Sequence, residues 1–237
     1  MKLVSQSSLK LCAIIAMAIN HTSIVLGWLL PRSFVKFGYF IGGLTFPIMA
    51  YMASEGFKKT RSKEKYILNL LVFSLISVFP YWMCFKRLNL NVGFSILLGV
   101  IALYICDRLD GIAAKAICVG ALALLSNGCD WGFKGVVLIY AMGVIKNDTL
   151  RAALPIAAMF LYTEGSALAD YYSSGILNSY TVPYMFGCLL AVPLLLMYNA
   201  SGQKRGSMPK HLFYAFYPGH LIALYIAYQI ALSSALS

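Results

Sequence analysis

A helical membrane fold is indicated most directly by the stretch Lys210-His211-Leu212-Phe213-Tyr214-Ala215-Phe216-Tyr217-Pro218-Gly219-His220, which continues apolar to about Tyr228. Pro218 has no amide hydrogen, so the carbonyl group of Tyr214 four residues earlier needs another partner inside a membrane. The imidazole of His220 is costly in lipid unless it faces a protein interior or a wet cavity. The stretch therefore predicts a membrane-spanning helix that carries a site.

The composition supports this interpretation for the whole chain. Of its 237 residues, 60% are hydrophobic and only 11% are charged, whereas a soluble domain is about one quarter charged. We predict an all-α integral membrane protein, a single polytopic bundle over residues 1–237 with about nine transmembrane helices and a range of eight to ten. The predicted spans are roughly 11–30, 37–56, 66–83, 91–106, 112–127, 132–146, 151–163, 180–198 and 212–232.

The distribution of cations predicts the orientation. Only five of the 19 Lys and Arg residues, Arg32, Lys36, Lys86, Arg87 and Lys134, fall on one side of the predicted spans, and the rest fall on the side of the N-terminus. Cytoplasmic loops carry the excess of Lys and Arg, so the N-terminus is predicted in the cytoplasm. The net charge of +11 is explained in this way without a nucleic-acid partner. The six cysteines are scattered without a CxxC pair, which argues against a disulfide framework and a metal site.

Two histidines lie within predicted spans. His21 follows Asn20 midway along the first span, and His220 has Tyr217 one turn earlier on the same helix face. A neutral imidazole is a competent general base near neutral pH. The alternative for each histidine is a structural hydrogen bond between packed helices. Position alone leaves both interpretations open.

Two basic connections face the predicted cytoplasmic side. Glu55 and Lys59 have the spacing of an ion pair at the end of a helix. The five cations from Lys58 to Lys65 serve as the topology signal or, alternatively, receive an anionic cosubstrate. The connection from Asn199 to Lys210 has glycines beside cations, which suits either a phosphate-binding or a solvated loop. The candidate ligands of such a cosubstrate are Lys58, Lys59, Arg61, Asn199, Lys204, Arg205 and Lys210.

Other polar residues have predicted structural roles. Asp130 fits an N-cap at the start of the sixth span, and Lys134, one turn further on, is expected to pair with it. The sequence contains no Walker A pattern, GxSxG elbow or HExxH motif. Chemistry in this chain therefore requires a bound activated donor and a histidine base.

A series of short motifs occurs in order along nearly the whole chain. They are Asn20-His21, Phe46-Pro47, Glu55-Gly56-Phe57, Thr60-Arg61, Tyr66 to Pro80, Asn91-Val92-Gly93-Phe94-Ser95, Asp130-Trp131-Gly132, Tyr198-Asn199 and the stretch 210–220. This ordered set resembles the TraX family of F-pilin acetylases. The resemblance implies a multi-pass acetyltransferase of the bacterial inner membrane, related to the broader transmembrane acyltransferases, that uses acetyl-CoA. In the family, the acceptor is the N-terminal amine of a conjugative pilin.

The resemblance also assigns residues. His21 and His220 match the family's two histidine motifs, and its polar positions are Glu55, Arg61, Asn91, Asp130, Asn199, Lys210 and Tyr217. Two positions depart from the family pattern. Asn20 stands where the family has an aspartate, so it can orient His21 by hydrogen bonding but cannot stabilise an imidazolium by charge. The Tyr-Asn-Gly-x-x-Gly region is altered after Asn199.

These observations lead to a hypothesis of acyl transfer within the membrane. Acetyl-CoA would dock from the cytoplasmic side near 58–65 and 204–210, and His21 or His220 would act as the base. The other histidine, Tyr217 or Asn91 would polarise the thioester carbonyl group. The acceptor would be an amine or hydroxyl of a peptide such as pilin, of a glycan or of a lipid. The alternatives are a small transporter or channel, an O-acyltransferase, and a family member without activity that serves as an assembly scaffold.

Overall fold

The computed structural model describes residues 3–175, 180–199 and 210–236. These residues form twelve α-helices and two short 3-10 turns, at Gly27–Leu29 and Ser126–Gly128. The helices are α1 (Gln6–Val25), α2 (Arg32–Gly42), α3 (Thr45–Lys59), α4 (Lys63–Ile76), α5 (Val78–Phe85), α6 (Val92–Cys106), α7 (Ile112–Leu125), α8 (Gly132–Val144), α9 (Asp148–Ser174), α10 (Thr181–Leu189), α11 (Ala191–Leu196) and α12 (Lys210–Leu236). The all-helical prediction is confirmed over this part of the chain.

Five helical segments of the described residues are long and apolar enough to cross a membrane. They are Gln6–Val25, Arg32–Lys59, Lys63–Phe85, Asp148–Ser174 and Tyr214–Ala235. Four further apolar segments, Val92–Cys106, Ile112–Gly128, Gly132–Val144 and Val182–Leu196, are shorter than the ~20 residues that an upright span requires. The protein is therefore a helical membrane protein. The count of nine spans and the cytoplasmic N-terminus stay predictions.

Three predicted spans are each formed by two consecutive helices. Breaks occur between α2 and α3, at Ser77 between α4 and α5, and at Leu190 between α10 and α11. In each case a proline is the third residue of the second helix, at Pro47, Pro80 and Pro193. The first amides of a helix have no carbonyl partner within it, so a proline there removes no hydrogen bond. Each of these prolines therefore lies in the first turn of the second helix of its predicted span.

Helix α9 extends beyond the predicted seventh span. The span is predicted at 151–163, whereas α9 continues to Ser174. The residues after Tyr162 are polar and small, and they mark the end of the apolar segment without ending the helix. The apolar segment therefore ends before the helix does.

The chain divides into two compact units that are discontinuous in sequence. Unit 1 contains Met1–Met49, Met83–Phe85 and Ile156–Ser237, and unit 2 contains Ala50–Trp82 and Lys86–Pro155. In unit 1, α2 packs against α1 and α10, and α12 packs against α1. In unit 2, α6 packs against α4, α7 and α8. The prediction of a single domain stays a prediction.

The helices α1 and α12 of unit 1 run in the same direction. His21 contacts His220, and Trp28, just after α1, contacts Tyr228 with ring centroids 6.4 Å apart. The second contact lies further toward the C-terminus than the first in both segments, so the two helices are parallel. At the start of α1, the backbone of Val4 forms hydrogen bonds of 2.9 Å with both Met197 and Asn199. These bonds hold the end of the α11 segment beside the N-terminus of α1.

Candidate active site

The two predicted histidines meet in unit 1, although 199 positions separate them in the sequence. Nδ1 of His21 lies 2.8 Å from Nε2 of His220, and the rings are nearly parallel, at 13°, with centroids 5.0 Å apart. Helix α1 supplies the first ring and α12 the second. The sequence predicted each residue but not the contact between them.

A backbone carbonyl group determines where the protons of this pair lie. Nδ1 of His220 is 2.9 Å from the carbonyl oxygen of Phe216, and a carbonyl oxygen only accepts, so this Nδ1 carries a hydrogen. In neutral His220, Nε2 then has the lone pair and accepts from Nδ1–H of His21. The remaining nitrogen of His21, Nε2, has a free lone pair. The pair therefore presents one base, at Nε2 of His21.

Aromatic rings surround the histidine pair. The ring of Phe85 meets His21 edge to face at 5.1 Å, and Phe216 stacks on His220 at 4.7 Å. Tyr217 lies 5.6 Å from His220 and is only 2% exposed. Sequence reasoning missed Phe85 and Phe216, because aromatic residues in apolar segments look the same whether they face lipid or a site. Within the described residues, neither imidazole has a carboxylate partner.

Asn20 does not orient His21. Its side-chain amide donates to the carbonyl oxygen of Gly38 at 3.2 Å, and the residue is 7% exposed. Consecutive helix residues point about 100° apart, so Asn20 faces α2 whereas His21 faces α12. The side chain occupies the space beside Gly42, where an added Cβ would overlap it. The predicted orienting role is corrected: Asn20 joins α1 to α2, and His220 orients His21.

A buried ion pair lies in unit 2. The Arg151 guanidinium group donates to Glu55 and to the carbonyl oxygen of Met142, and its Nη2 lies 2.9 Å from Oγ of Ser54. Arg151 is 3% exposed. The predicted pair between Glu55 and Lys59 is confirmed at 3.0 Å. Sequence reasoning counted Arg151 only as a topology signal, although a cation next to an apolar run needs a buried acid and Glu55 was available.

The basic connection between α3 and α4 contains both paired and exposed cations. Lys59 pairs with Glu55, and Lys63 pairs with Asp107 at 2.6 Å. In the described part of the chain, Lys58, Arg61 and Lys65 are exposed and form no ion pair. Among the predicted cosubstrate ligands of this connection, Lys58 and Arg61 are therefore the available charges.

The remaining predicted ligands are Asn199, Lys204, Arg205 and Lys210. Lys204 and Arg205 lie outside the described residues. Lys210 is the first residue of α12, and its side chain also lies outside the description. The backbone amide of Asn199 donates to the carbonyl oxygen of Val4. The cosubstrate roles of all four residues stay predictions.

The prediction that Asp130 caps α8 is wrong. The residue before α8 is Trp131, and no side chain accepts a hydrogen bond there. Asp130 instead accepts a hydrogen bond from the hydroxyl group of Tyr81, near the charge of Arg87. Asp130 is exposed at the surface. The protein around its carboxyl group still displaces water, which raises the pKa of that group, whereas Arg87 and the hydrogen bond from Tyr81 act to lower it. Within the described residues Lys134 forms no ion pair with it.

Asn91 has a structural position that the sequence did not predict. Its Oδ1 accepts from the amide of Gly93 at 2.9 Å and caps α6, and its Nδ2 donates to the carbonyl oxygen of Ser74 at 2.8 Å. The residue is fully buried. Both ends of its amide therefore bind backbone in unit 2, which joins the start of α6 to α4.

Comparison with known proteins agrees with the motif series. The model of the family described as TraX protein matches residues 5–228. The chain belongs to the TraX family. A relative, described as the probable fimbrial assembly protein FimC, serogroup H1, of Dichelobacter nodosus, is 30% identical over 240 residues, which cover 93% of this chain and 94% of the relative. No solved structure matches the chain. Both histidines of the pair lie within the part that the TraX model matches.

Proposed function

We propose that this protein is an acetyltransferase of the bacterial inner membrane that moves an acetyl group from acetyl-CoA to an amine or hydroxyl acceptor. The observation that carries the proposal is the hydrogen-bonded pair of His21 and His220, which leaves a lone pair at Nε2 of His21. Membership of the TraX family and a relative named for fimbrial assembly support the N-terminal amine of a pilin subunit as the acceptor.

The reaction needs one proton acceptor. The acceptor nitrogen attacks the thioester carbonyl carbon, and Nε2 of His21 takes the proton that this nitrogen loses. The bond between carbon and sulfur breaks, and the proton passes from His21 to the departing thiolate of CoA. His21 thus returns to its neutral form, and the acetyl group ends on the acceptor.

His220 has a positioning role in this scheme. Its Nε2 accepts from Nδ1–H of His21 and fixes the tautomer, as a carboxylate does in a Ser-His-Asp triad. A neutral imidazole stabilises a protonated partner less than a carboxylate would. An N-terminal amine titrates near pH 8, so a modest base suffices for it, whereas a hydroxyl group demands a stronger one. The neutral pair therefore favours an amine as the acceptor.

Two further groups complete the scheme. The hydroxyl group of Tyr217, on the same face as His220 and one turn before it, is the candidate donor to the thioester carbonyl oxygen. The exposed cations Lys58, Arg61 and Lys65 of unit 2 are candidate partners for the phosphates of CoA, since lysine and arginine bind such groups elsewhere. Each role is separable by mutation, because a carbonyl donor affects turnover and a phosphate ligand affects the KM for acetyl-CoA.

The test uses the full chain purified in detergent, with acetyl-CoA and a synthetic peptide that has a free N-terminus. Release of the CoA thiol and the mass of the peptide report transfer. We expect His21→Ala to lower kcat by about 100-fold or more, the contribution of a general base. His220→Ala should lose less, and His220→Gln should recover part of the loss because its amide oxygen can accept from His21.

Thr22→Val is the matched control, because among the described residues the Thr22 hydroxyl donates only to the carbonyl oxygen of Ala18 in its own helix. It should retain full activity. Transfer that is unchanged in both His21→Ala and His220→Ala, or a wild type that neither binds nor turns over acetyl-CoA, would contradict the proposal. The second result would favour transport or a scaffold role.

A further inference from the structure

The hydrogen bond between the two imidazole rings has a geometry that suits proton transfer. Nδ1 of His21 lies 2.8 Å from Nε2 of His220, and the ring centroids are 5.0 Å apart. This centroid separation is close to the nitrogen separation plus one ring radius on each side, so the rings lie side by side. The hydrogen bond therefore runs along the line between the rings, near the straight geometry that hydrogen bonds prefer.

His220 has surroundings that stabilise a positive charge. Its Nδ1–H donates to the carbonyl oxygen of Phe216 at 2.9 Å, and a hydrogen bond from a charged donor is about twice as strong as one from a neutral donor. The ring of Phe216 is parallel to the imidazole within 7°, with centroids 4.7 Å apart. Two rings in edge-to-edge contact would lie further apart, so the face of Phe216 covers His220. An aromatic face carries partial negative charge and attracts a cation.

His21 has neither of these contacts. Among the described residues, its hydrogen-bonding partner is His220 alone, and Phe85 meets its ring at 77° instead of lying parallel to it. Tyr217 is the other titratable group whose ring contacts the pair in this part of the chain, and its centroid is 5.6 Å from His220 and 6.3 Å from His21. A positive charge on the pair is therefore better stabilised on His220.

We propose that His220 holds the proton during acetyl transfer and that Phe216 stabilises the charge there. This inference rests on the proposed function and adds a second proton transfer to it. When Nε2 of His21 takes the proton of the acceptor nitrogen, the Nδ1–H bond of His21 breaks and a hydrogen bonds to Nε2 of His220. His220 is then an imidazolium, and His21 is neutral. When the CoA thiolate takes the hydrogen at Nε2 of His21, the proton on His220 returns to Nδ1 of His21.

The proposal separates two roles of His220, which orients His21 and also accepts its proton. His220→Gln keeps only the first role, because an amide oxygen can accept a hydrogen bond from His21 but does not take up the proton. The charge then stays on His21, away from the face of Phe216. We expect Phe216→Leu to lower kcat by roughly 3–10-fold in the wild-type background and to have little further effect in His220→Gln. Equal losses in both backgrounds would contradict the coupling.

The decisive test locates the proton without using activity. The full-length protein in detergent, with ¹⁵N-labelled histidine and His211→Gln to remove the third histidine, is titrated downward from neutral pH without acetyl-CoA. NMR distinguishes a nitrogen that carries a hydrogen from one with a lone pair. We expect the singly charged pair to have hydrogens on both nitrogens of His220 and a lone pair on Nδ1 of His21. Hydrogens on both nitrogens of His21, with the lone pair kept at Nε2 of His220, would overturn the inference.

The same titration measures the contribution of Phe216. Its face stabilises the charged pair, so the wild type should gain the proton at a higher pH than Phe216→Leu does, by about one pH unit for a partly desolvated contact. Phe216→Tyr keeps the ring and should titrate close to the wild type. Phe160→Leu is the matched control, because Phe160 contacts Phe186 at 5.2 Å elsewhere in unit 1, and it should titrate as the wild type does. Equal titration of Phe216→Leu and Phe160→Leu would remove the role of Phe216.

The wild-type spectrum locates the charge even if Phe216→Leu fails to fold. If the charge lies on His220 but no acetyl group is transferred in the enzyme assay, the proton-sharing pair stands and the proposed activity falls. If acetyl transfer proceeds and the charge lies on His21, the activity stands and this inference falls.

Discussion

At the scale of single residues, Asn20 offers a test of how α1 is fixed to α2. Its Nδ2 donates to the Gly38 carbonyl oxygen in a buried contact. In Asn20→Asp a carboxylate oxygen would face that carbonyl oxygen, and neither can donate unless the acid is protonated. We expect a loss of stability of about 1–3 kcal/mol, measured as a lower unfolding temperature in detergent.

Asn127→Asp is the matched control for this substitution, because Asn127 is exposed in the turn before α8. It makes the same chemical change without burial, so it should leave the unfolding temperature nearly unchanged. Equal effects of the two substitutions would show that the bond from Asn20 to Gly38 does not stabilise the fold.

The two histidines of the candidate site were predictable from the sequence because burying an imidazole in lipid costs free energy. His21 and His220 stand out because an imidazole in an apolar helix needs a partner. Their contact was not predictable, since the order of spans does not determine which helices are neighbours. Asn20 was misinterpreted because adjacent residues on a helix face different partners, and a one-dimensional motif treats them as a unit.

At the scale of elements, the prolines show what a hydropathy pattern leaves out. Apolar segments were located correctly, but three of them contain two helices, each second helix with a proline at its third position. Hydropathy averages over ~19 residues and so does not resolve a break of one or two residues. The prolines indicate where the second helices begin, because a proline is tolerated in the first turn of a helix, where amides have no carbonyl partner.

The contact between α2 and α10 depends on two glycines. A Cβ added at Gly187 would overlap the carbonyl oxygen of Phe40, and one added at Gly43 would overlap the backbone of Tyr184 and Cys188. Backbone atoms cannot move aside as a flexible side chain can. We expect Gly187→Ala to destabilise the protein by about 1–3 kcal/mol, measured as a lower unfolding temperature.

Gly120→Ala in α7 is the control, because nothing lies within 4 Å of a Cβ at that position. This change should leave stability unchanged or raise it, since alanine favours a helix by up to about 1 kcal/mol over glycine. If Gly187→Ala is as stable as Gly120→Ala, the close approach of α2 and α10 at Gly187 does not stabilise the protein.

Arg151 joins three elements of unit 2, with Glu55 on α3, Met142 on α8 and its own helix α9. Arg151→Met leaves the Glu55 charge and a helix-end carbonyl group without this partner, so we expect a loss of about 3–5 kcal/mol. The double variant Glu55→Gln and Arg151→Met should recover part of it. Arg108→Met is the control, because Arg108 pairs with Glu64 at an exposed site where such pairs contribute under about 1 kcal/mol. Similar losses in Arg108→Met and Arg151→Met would contradict the buried role.

At the scale of the whole molecule, the direction of helices constrains the number of spans. Helices α1 and α12 are parallel, as the contacts of His21 with His220 and Trp28 with Tyr228 require. If both cross the membrane, they cross it in the same direction, so the total number of spans is odd. Nine spans satisfy this condition, whereas eight or ten do not. The sequence alone could not make this choice, because it contains no contact between distant helices.

Cysteine labelling tests the parallel arrangement and the orientation separately. In a background without the six native cysteines, Leu3→Cys lies before α1, Lys210→Cys is at the first residue of α12, and Leu29→Cys and Ala235→Cys lie at the far ends of these helices. With the N-terminus in the cytoplasm, a membrane-impermeant maleimide should label positions 29 and 235 in intact spheroplasts. It should label positions 3 and 210 only after permeabilisation. The opposite pattern in both pairs would reverse the orientation and leave the odd span count intact. Labelling of positions 3 and 210 from opposite sides would contradict the parallel arrangement itself, and with it the contact that places His220 beside His21.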